Sequence, residues 1–219
     1  LVKSFGDGET ILTVLKSLDF AVKPGEFVAI TGRSGSGKST LMYQLGLLDD
    51  PTSGQIIIEG HNTSHLTQGE KTSFRLNELG YVFQDYALVP ELTAIENVII
   101  PLLMQGLDKF TARARSIVAL ERVGLEERLH SLPAKLSGGE QQRVAIARAI
   151  AHEPKIIFAD EPTANLDAET AKVVLDTFLS LHREGQTIIM VTHEPEYAAL
   201  TDRIVLLSDG IISDDVKQN

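Results

Sequence analysis

Gly32-Arg33-Ser34-Gly35-Ser36-Gly37-Lys38-Ser39, continued by Thr40, fits the spacing G-x-x-x-x-G-K-S/T and follows an apolar run, Phe27–Ile30. Glycines let successive backbone N–H groups turn toward one anion, and a helix beginning near Lys38 adds the positive end of its dipole. Lys38 is then placed to reach β- and γ-phosphates, and the Ser39 hydroxyl to ligate Mg²⁺. The bland alternative is a glycine-rich turn with an incidental lysine, against which the strand-loop-helix context speaks. Lys155-Ile156-Ile157-Phe158-Ala159-Asp160-Glu161-Pro162 is the second chemical feature, an apolar run ending in two acids. Successive side chains on a strand point to opposite sides. Asp160 is therefore expected to face the metal shell and Glu161 the attacking water, as the base. Without a phosphate loop nearby, the pair would read as two solvated acids capping a strand.

Two further polar residues sit just beyond apolar runs: Gln84 after Tyr81–Phe83, and His193 after Thr187–Val191. In open parallel sheets ligands bind beyond the carboxyl ends of the strands, so these residues, the glycine loop and the acids can converge on one site. Taken singly, Gln84 and His193 are ordinary loop residues. Together with the loop, Gln84 is a candidate ligand of Mg²⁺ and sensor of the γ-phosphate, and His193 a partner of that phosphate or of the water. A second glycine signal, Leu136-Ser137-Gly138-Gly139-Glu140-Gln141, opens a helical pattern and offers another helix N-terminus to an anion. A capping box between Ser137 and Glu140 accounts for those two residues. It leaves the paired glycines, which cost helix stability, without a reason.

The elements that must hold these residues alternate. The four runs above and Ile204–Leu207 read as buried strands. Lys38–Leu48, Ala112–Val123, Glu140–Ala151 and Ala168–Arg183 read as helices between them. That rhythm predicts an α/β fold with a largely parallel sheet. Residues 1–25 and 54–60 instead alternate apolar and polar, which predicts an N-terminal antiparallel β subdomain. Residues 86–152 are read as an inserted helical subdomain, leaving 1–85 and 153–219 as the α/β core. The chain has 219 residues, 43% hydrophobic and 23% charged, enough for one domain with a sizeable core. The absence of cysteine excludes disulfides and thiolate zinc sites and fits a reducing compartment. A net charge of −10 argues against nucleic acid and against direct insertion at anionic lipid. The longest apolar run near the middle, Val98–Met104, is interrupted by Pro101 and falls short of the roughly 20 residues a spanning helix needs. No signal peptide is read at the start. The chain opens on Leu1 rather than Met, so native residues are expected to precede it. His61, His65, His130, His152 and His182 are read in loops or on polar faces, without metal spacing.

With these motifs in hand, the sequence resembles, essentially end to end, the ATPase subunits of ABC transporters. Gly32–Thr40 matches that family's Walker A motif, Gln84 its Q-loop, Leu136–Gln142 its signature and Ile156–Glu161 its Walker B. Asn165-Leu166-Asp167 matches the D-loop and His193 the switch histidine. Phe5 stands where the family has an aromatic, often Tyr, that stacks on adenine; a core role is the alternative. The resemblance implies ATP and Mg²⁺ as ligands and a head-to-tail homodimer. In that dimer the Ser137–Gln141 turn of one chain completes the Walker A site of the other. A narrower resemblance, to the lipoprotein-release, macrolide-efflux and related peptide-export group, rests on Gly46–Gly54, Tyr81–Pro90 and Leu92–Val98. Ala164, where that group often has Gly, and Phe5 depart from it.

The resemblance implies ATP hydrolysis that energises a separate membrane-spanning subunit, with the chain peripheral on the cytoplasmic face of the membrane. Leu88–Met104 is the expected docking surface, with ordinary subdomain core as the alternative. An importer ATPase shares much of the pattern and is the runner-up. A soluble ABC ATPase acting on DNA or ribosomes is disfavoured by the lack of a long coiled coil, zinc cysteines or a second ATPase domain. A regulator that binds ATP without hydrolysing it is disfavoured by Glu161 and His193.

Overall fold

Five short apolar runs and one more polar strand make a single six-stranded sheet in the protein, whose computed structural model describes residues 1–6 and 10–218. In chain order the elements begin with β1 (Lys3–Phe5), β2 (Leu12–Leu15), β3 (Phe27–Thr31) and α1 (Lys38–Leu45). The short strands β4 (Ile57–Ile58) and β5 (His61–Asn62) follow, then α2 (Gln68–Glu78) and β6 (Leu79–Val82). Three helices come next: α3 (Ala94–Met104), α4 (Lys109–Arg122) and α5 (Gly138–Ile150). The chain closes with β7 (Ile156–Asp160), α6 (Ala168–Arg183), β8 (Thr187–Val191), α7 (Pro195–Ala198), β9 (Arg203–Ser208) and β10 (Ile211–Lys217).

The sheet runs β10-β9-β3-β8-β7-β6. β9, β3, β8, β7 and β6 are parallel, and β10 turns back antiparallel on β9. Central strands are buried on both faces, which is why β3 and β8 are almost unbroken apolar runs rather than alternating ones. Parallel register brings the carboxyl ends of β3, β7 and β8 to one edge: Ile30 lies opposite Val191, and Val191 opposite Asp160.

The antiparallel region near the start is two separate ribbons, β1-β2 and β4-β5, linked by a bridge between Val2 and Ser53. Two core clusters result. One face of the sheet packs on α1 and the ribbons through Leu15, Ile30, Leu41, Met42, Phe158 and Leu207. The other joins α3, α4, α5 and α6 to the sheet through Val98, Leu120, Ile146, Ile157, Phe178 and Ile188. Two elements escaped the apolar pattern, α2 and β10. The only buried residue of α2 is Lys71, so it carries no apolar stripe to read. β10 is an edge strand exposed along nearly its whole length.

Two expectations need correction. Leu88–Met104 is not one exposed apolar surface, because Ile95, Val98 and Leu102 of α3 are core residues. The exposed apolar side chains there are Val89, Leu103 and Met104, the last 66% exposed. His152 lies in the turn after α5, one of the loop positions expected, with its Nε2 3.1 Å from Leu79 O and its proton affinity held down by burial. Finally, the two acids are not alternating strand residues, since β7 ends at Asp160 and Glu161 has left-handed backbone, φ 45°.

Candidate active site

The glycine loop joins β3 to α1 and closes over a cleft of about 600 Å³. Ser34, Gly35, Gly37, Lys38, Ser39 and Thr40 line it, with Glu161, His193, Leu12 and Val14. Gly37 caps α1 at φ 101°, a conformation that residues with a Cβ rarely adopt, and no described side chain caps the helix. By contrast α2, α4, α5 and α6 begin on side-chain caps, Thr67, Asp108, Ser137 and Asp167. The first-turn N–H groups of α1 are therefore left to an external acceptor. Beside Gly35 (φ 77°) a Cβ would meet none of the described residues within 4 Å, so the loop borders open space there.

Lys38 is buried, and its ammonium donates to two carbonyls of its own loop, Gly32 O at 3.0 Å and Arg33 O at 3.2 Å. An ammonium has three donors, and a buried cation without a counter-charge is costly. The Ser36 hydroxyl is also buried, without a partner among the described residues. Ser39 Oγ lies 3.5 Å from Asp160 Oδ1, long for an O–H···O bond, so the two oxygens face one another without being joined. Burial first, and the neighbouring Glu161 second, push the Asp160 carboxyl above the usual aspartate range. A buried acid next to another acid, facing a hydroxyl, is a donor set suited to a hard divalent cation. The loop, Lys38 and this oxygen pair thus fit a triphosphate with Mg²⁺.

At the left-handed turn of Glu161 the N–H donates to Val191 O at 3.0 Å, and the carboxylate reaches the loop beyond β8. There Glu161 Oε2 meets His193 Nδ1 at 3.2 Å, while His193 Nε2 meets Glu194 Oε1 at 3.1 Å. A neutral imidazole can donate to one of these carboxylates; only the protonated ring donates to both.

Not every expected residue lines the cleft. Gln84 lies two residues beyond β6, is exposed, and has its carbonyl tied to Asn165 Nδ2 at 3.2 Å. Phe5 is 45% exposed and has Lys3 Nζ 4.9 Å from its ring centre. It pairs across β1-β2 with Leu12, so the two side chains share the ribbon face that meets the cleft. Leu12 and Val14 went unread in the sequence; their two-residue spacing on a short strand was the available signal. Ser137, Gly138, Gly139, Glu140 and Gln141 stand apart, at the start of α5. Ser137 Oγ accepts from Glu140 N–H at 3.2 Å and Glu140 Oε2 accepts from Ser137 N–H at 2.8 Å, so the capping box is formed. The paired glycines also have a packing reason. A Cβ on Gly139 would lie 2.1 Å from Thr170 Cγ2, and one on Gly138 3.0 Å from Tyr86 Oη.

Known proteins share this arrangement. A family profile described as ABC transporter matches residues 15–164. The lipoprotein-releasing system ATP-binding protein LolD of Aquifex aeolicus is 50% identical over 203 residues, 93% of this chain and 91% of that protein. The macrolide export ATP-binding/permease protein MacB of Chlorobium phaeobacteroides is 46% identical over 216 residues, 99% of this chain but 33% of that protein. This chain thus spans about a third of that relative. Among solved structures, a dimeric post-hydrolysis state of the ATP-binding cassette MJ0796 bound to ADP and Pi superposes with TM-score 0.91 at 40% identity, covering 100% of this chain and 96% of that one. With the profile covering most of the sequence and the relatives nearly all of it, the chain belongs to the ABC transporter family and is an ABC ATPase.

Proposed function

We propose that two copies of this chain, related head to tail, close on two ATP molecules, and that hydrolysis drives a membrane-spanning exporter subunit on the cytoplasmic face. The observation that carries this is the division of the anion-binding turns. One, the Gly32–Thr40 loop, lines the cleft, and the other, the Ser137–Gln141 turn, lies outside it on α5. A turn that cannot serve its own cleft is available to a second copy. The dimeric MJ0796 structures support the same reading. In it, residues 86–152 act as a helical lobe carrying that turn beside the α/β core of 1–85 and 153–219.

Within one half-site the roles divide by chemistry. Backbone N–H groups from Gly32 to Thr40, including Arg33, Ser34, Gly35, Ser36 and Gly37, cradle the phosphates. Lys38 supplies its free donor to the β- and γ-phosphates. Ser39 and Asp160, joined by Gln84, would hold Mg²⁺, which would supply charge neutralisation to the phosphoryl group. Glu161 accepts the proton of the attacking water, and His193 holds Glu161 and the γ-phosphate side of the cleft in register. Phe5, with Leu12 and Val14, offers an apolar face to the adenine.

Substituting Glu161→Gln removes the base while keeping the shape, so ATP should hold the chain as a stable dimer. Light scattering of Glu161→Gln in saturating Mg-ATP reads this directly; a monomer there sinks the dimer reading. The relatives named for lipoprotein release and macrolide export support an exporter, in which the membrane subunit handles the substrate. Co-purification with that subunit tests the coupling.

A further inference from the structure

Tyr86 and Ala87 both hold left-handed backbone, at φ 61° and 49°. Residues with a Cβ are disfavoured there, and two in succession persist only where their surroundings impose it. One side chain does so. Arg148 of α5 donates through its two terminal nitrogens to Tyr86 O at 2.9 Å and to Ala87 O at 2.5 Å. The planar fork of a guanidinium suits two adjacent carbonyls, as a lysine's point charge does not. The same helix touches the turn again at its other end, where Gly138 makes room for the Tyr86 hydroxyl. Beyond the turn, Asn97 of α3 brackets the next residues, accepting from Val89 N–H at 2.8 Å and donating to Leu92 O at 2.9 Å. Gln84 stands at the near end of this segment. Its connection to the helical layer therefore runs through side-chain brackets on an otherwise irregular strut.

We propose that Arg148 is a positioning residue that latches the Tyr86–Ala87 turn, and with it Gln84, to α5, so that Gln84 and the Ser137–Gln141 turn move as one body. This rests on the roles proposed above for Gln84 and the signature turn. In the dimer, Gln84 belongs to one nucleotide and the signature turn of the same chain to the other. The latch therefore ties the state of one half-site to the geometry of its neighbour. Arg148 does not line the cleft, so its effect falls on turnover rather than on nucleotide contact.

The test compares Arg148→Met, Arg148→Lys and Arg148→Met combined with Ala87→Gly, each assayed well below its own melting temperature. Arg148→Met is expected to lower kcat about tenfold, with ATP affinity measured by equilibrium binding held within about twofold. Arg148→Lys, able to reach one carbonyl, should fall between. Ala87→Gly removes the penalty of left-handed backbone at that position but restores no bond to α5, so it should return little of the lost kcat. A merely structural role predicts a loss that follows the folded fraction, and a role in backbone shape alone predicts rescue by glycine. Wild-type kcat in Arg148→Met, a loss seen in ATP affinity instead, or full rescue by Ala87→Gly would overturn the proposal. The readout is kcat of the variants, so it is independent of the Glu161→Gln light-scattering result that decides the dimer reading.

Discussion

Gly139→Ala is a substitution for which local propensity and tertiary packing predict opposite signs. Gly139 lies in the first turn of α5, where alanine is favoured over glycine by up to about 1 kcal/mol. Its added methyl, however, would stand 2.1 Å from Thr170 Cγ2, whereas carbon atoms in contact prefer about 3.5–4.0 Å. Thr170 cannot simply rotate away. Its Oγ1 donates to Asp167 Oδ2 at 2.7 Å, and its N–H donates to Asp167 Oδ1 at 3.0 Å in the cap that starts α6. The helices must therefore part or the cap must break, at an overpacking cost of about 1–3 kcal/mol. Set against the propensity gain, the net loss is up to about 2 kcal/mol, or up to roughly 8 °C in Tm for a chain of this size. Thr170→Ser removes the offending methyl and keeps the hydroxyl bond. The double variant should therefore regain the stability of Thr170→Ser alone or exceed it. Urea titration and calorimetry of the four proteins measure this as a double-mutant cycle. Gly139→Ala melting at or above the wild type, or a loss that Thr170→Ser leaves intact, would refute the packing account of the second glycine.

Other outcomes follow from the same geometry. Gln142 is fully buried and neither of its amide atoms has a partner among the described residues, so Gln142→Met should raise stability by about 1 kcal/mol in urea titration. The raised Asp160 carboxyl means that the folded state without nucleotide holds its proton to higher pH than the unfolded chain, so this group's contribution weakens as pH rises through that window. Asp160→Asn should therefore melt above the wild type near pH 7, converge with it at pH values below the ordinary aspartate range, and lose ATPase activity. Leu12→Ala should weaken ATP binding about fivefold in calorimetric titration, equivalent to about 1 kcal/mol of lost apolar contact. Val98→Asp places an unpaired charge in the core and should cost several kcal/mol, visible as loss of soluble folded protein. Met104→Asp, at an exposed site, should leave Tm within about 1–2 °C and weaken only co-purification with the membrane subunit.

Short-range order did most of the work that was legible in the sequence. Runs such as Phe27–Ile30 and Thr187–Val191 are apolar because their strands are buried on both faces, and the glycine loop announces itself because phosphate binding by backbone demands residues without Cβ. The fold class, the parallel sheet and the order of motifs followed from such local constraints, and the ATPase family from the resemblance those motifs carry. Only the tertiary structure could decide how side chains meet across the chain. Strand alternation suggested opposed acids, yet Glu161 has left the strand in a left-handed turn and its carboxylate meets His193, 32 residues away. The capping box was readable at Ser137 and Glu140, but the reason for Gly139 is Thr170 on another helix. Val98 and Met104 look alike as letters in one apolar run, and only the packing of α3 buries the first and exposes the second. Backbone periodicity is a property of neighbours in sequence. Burial, steric room and hydrogen-bond partners depend on residues brought together from far apart, and these were fixed when the layers closed on one another.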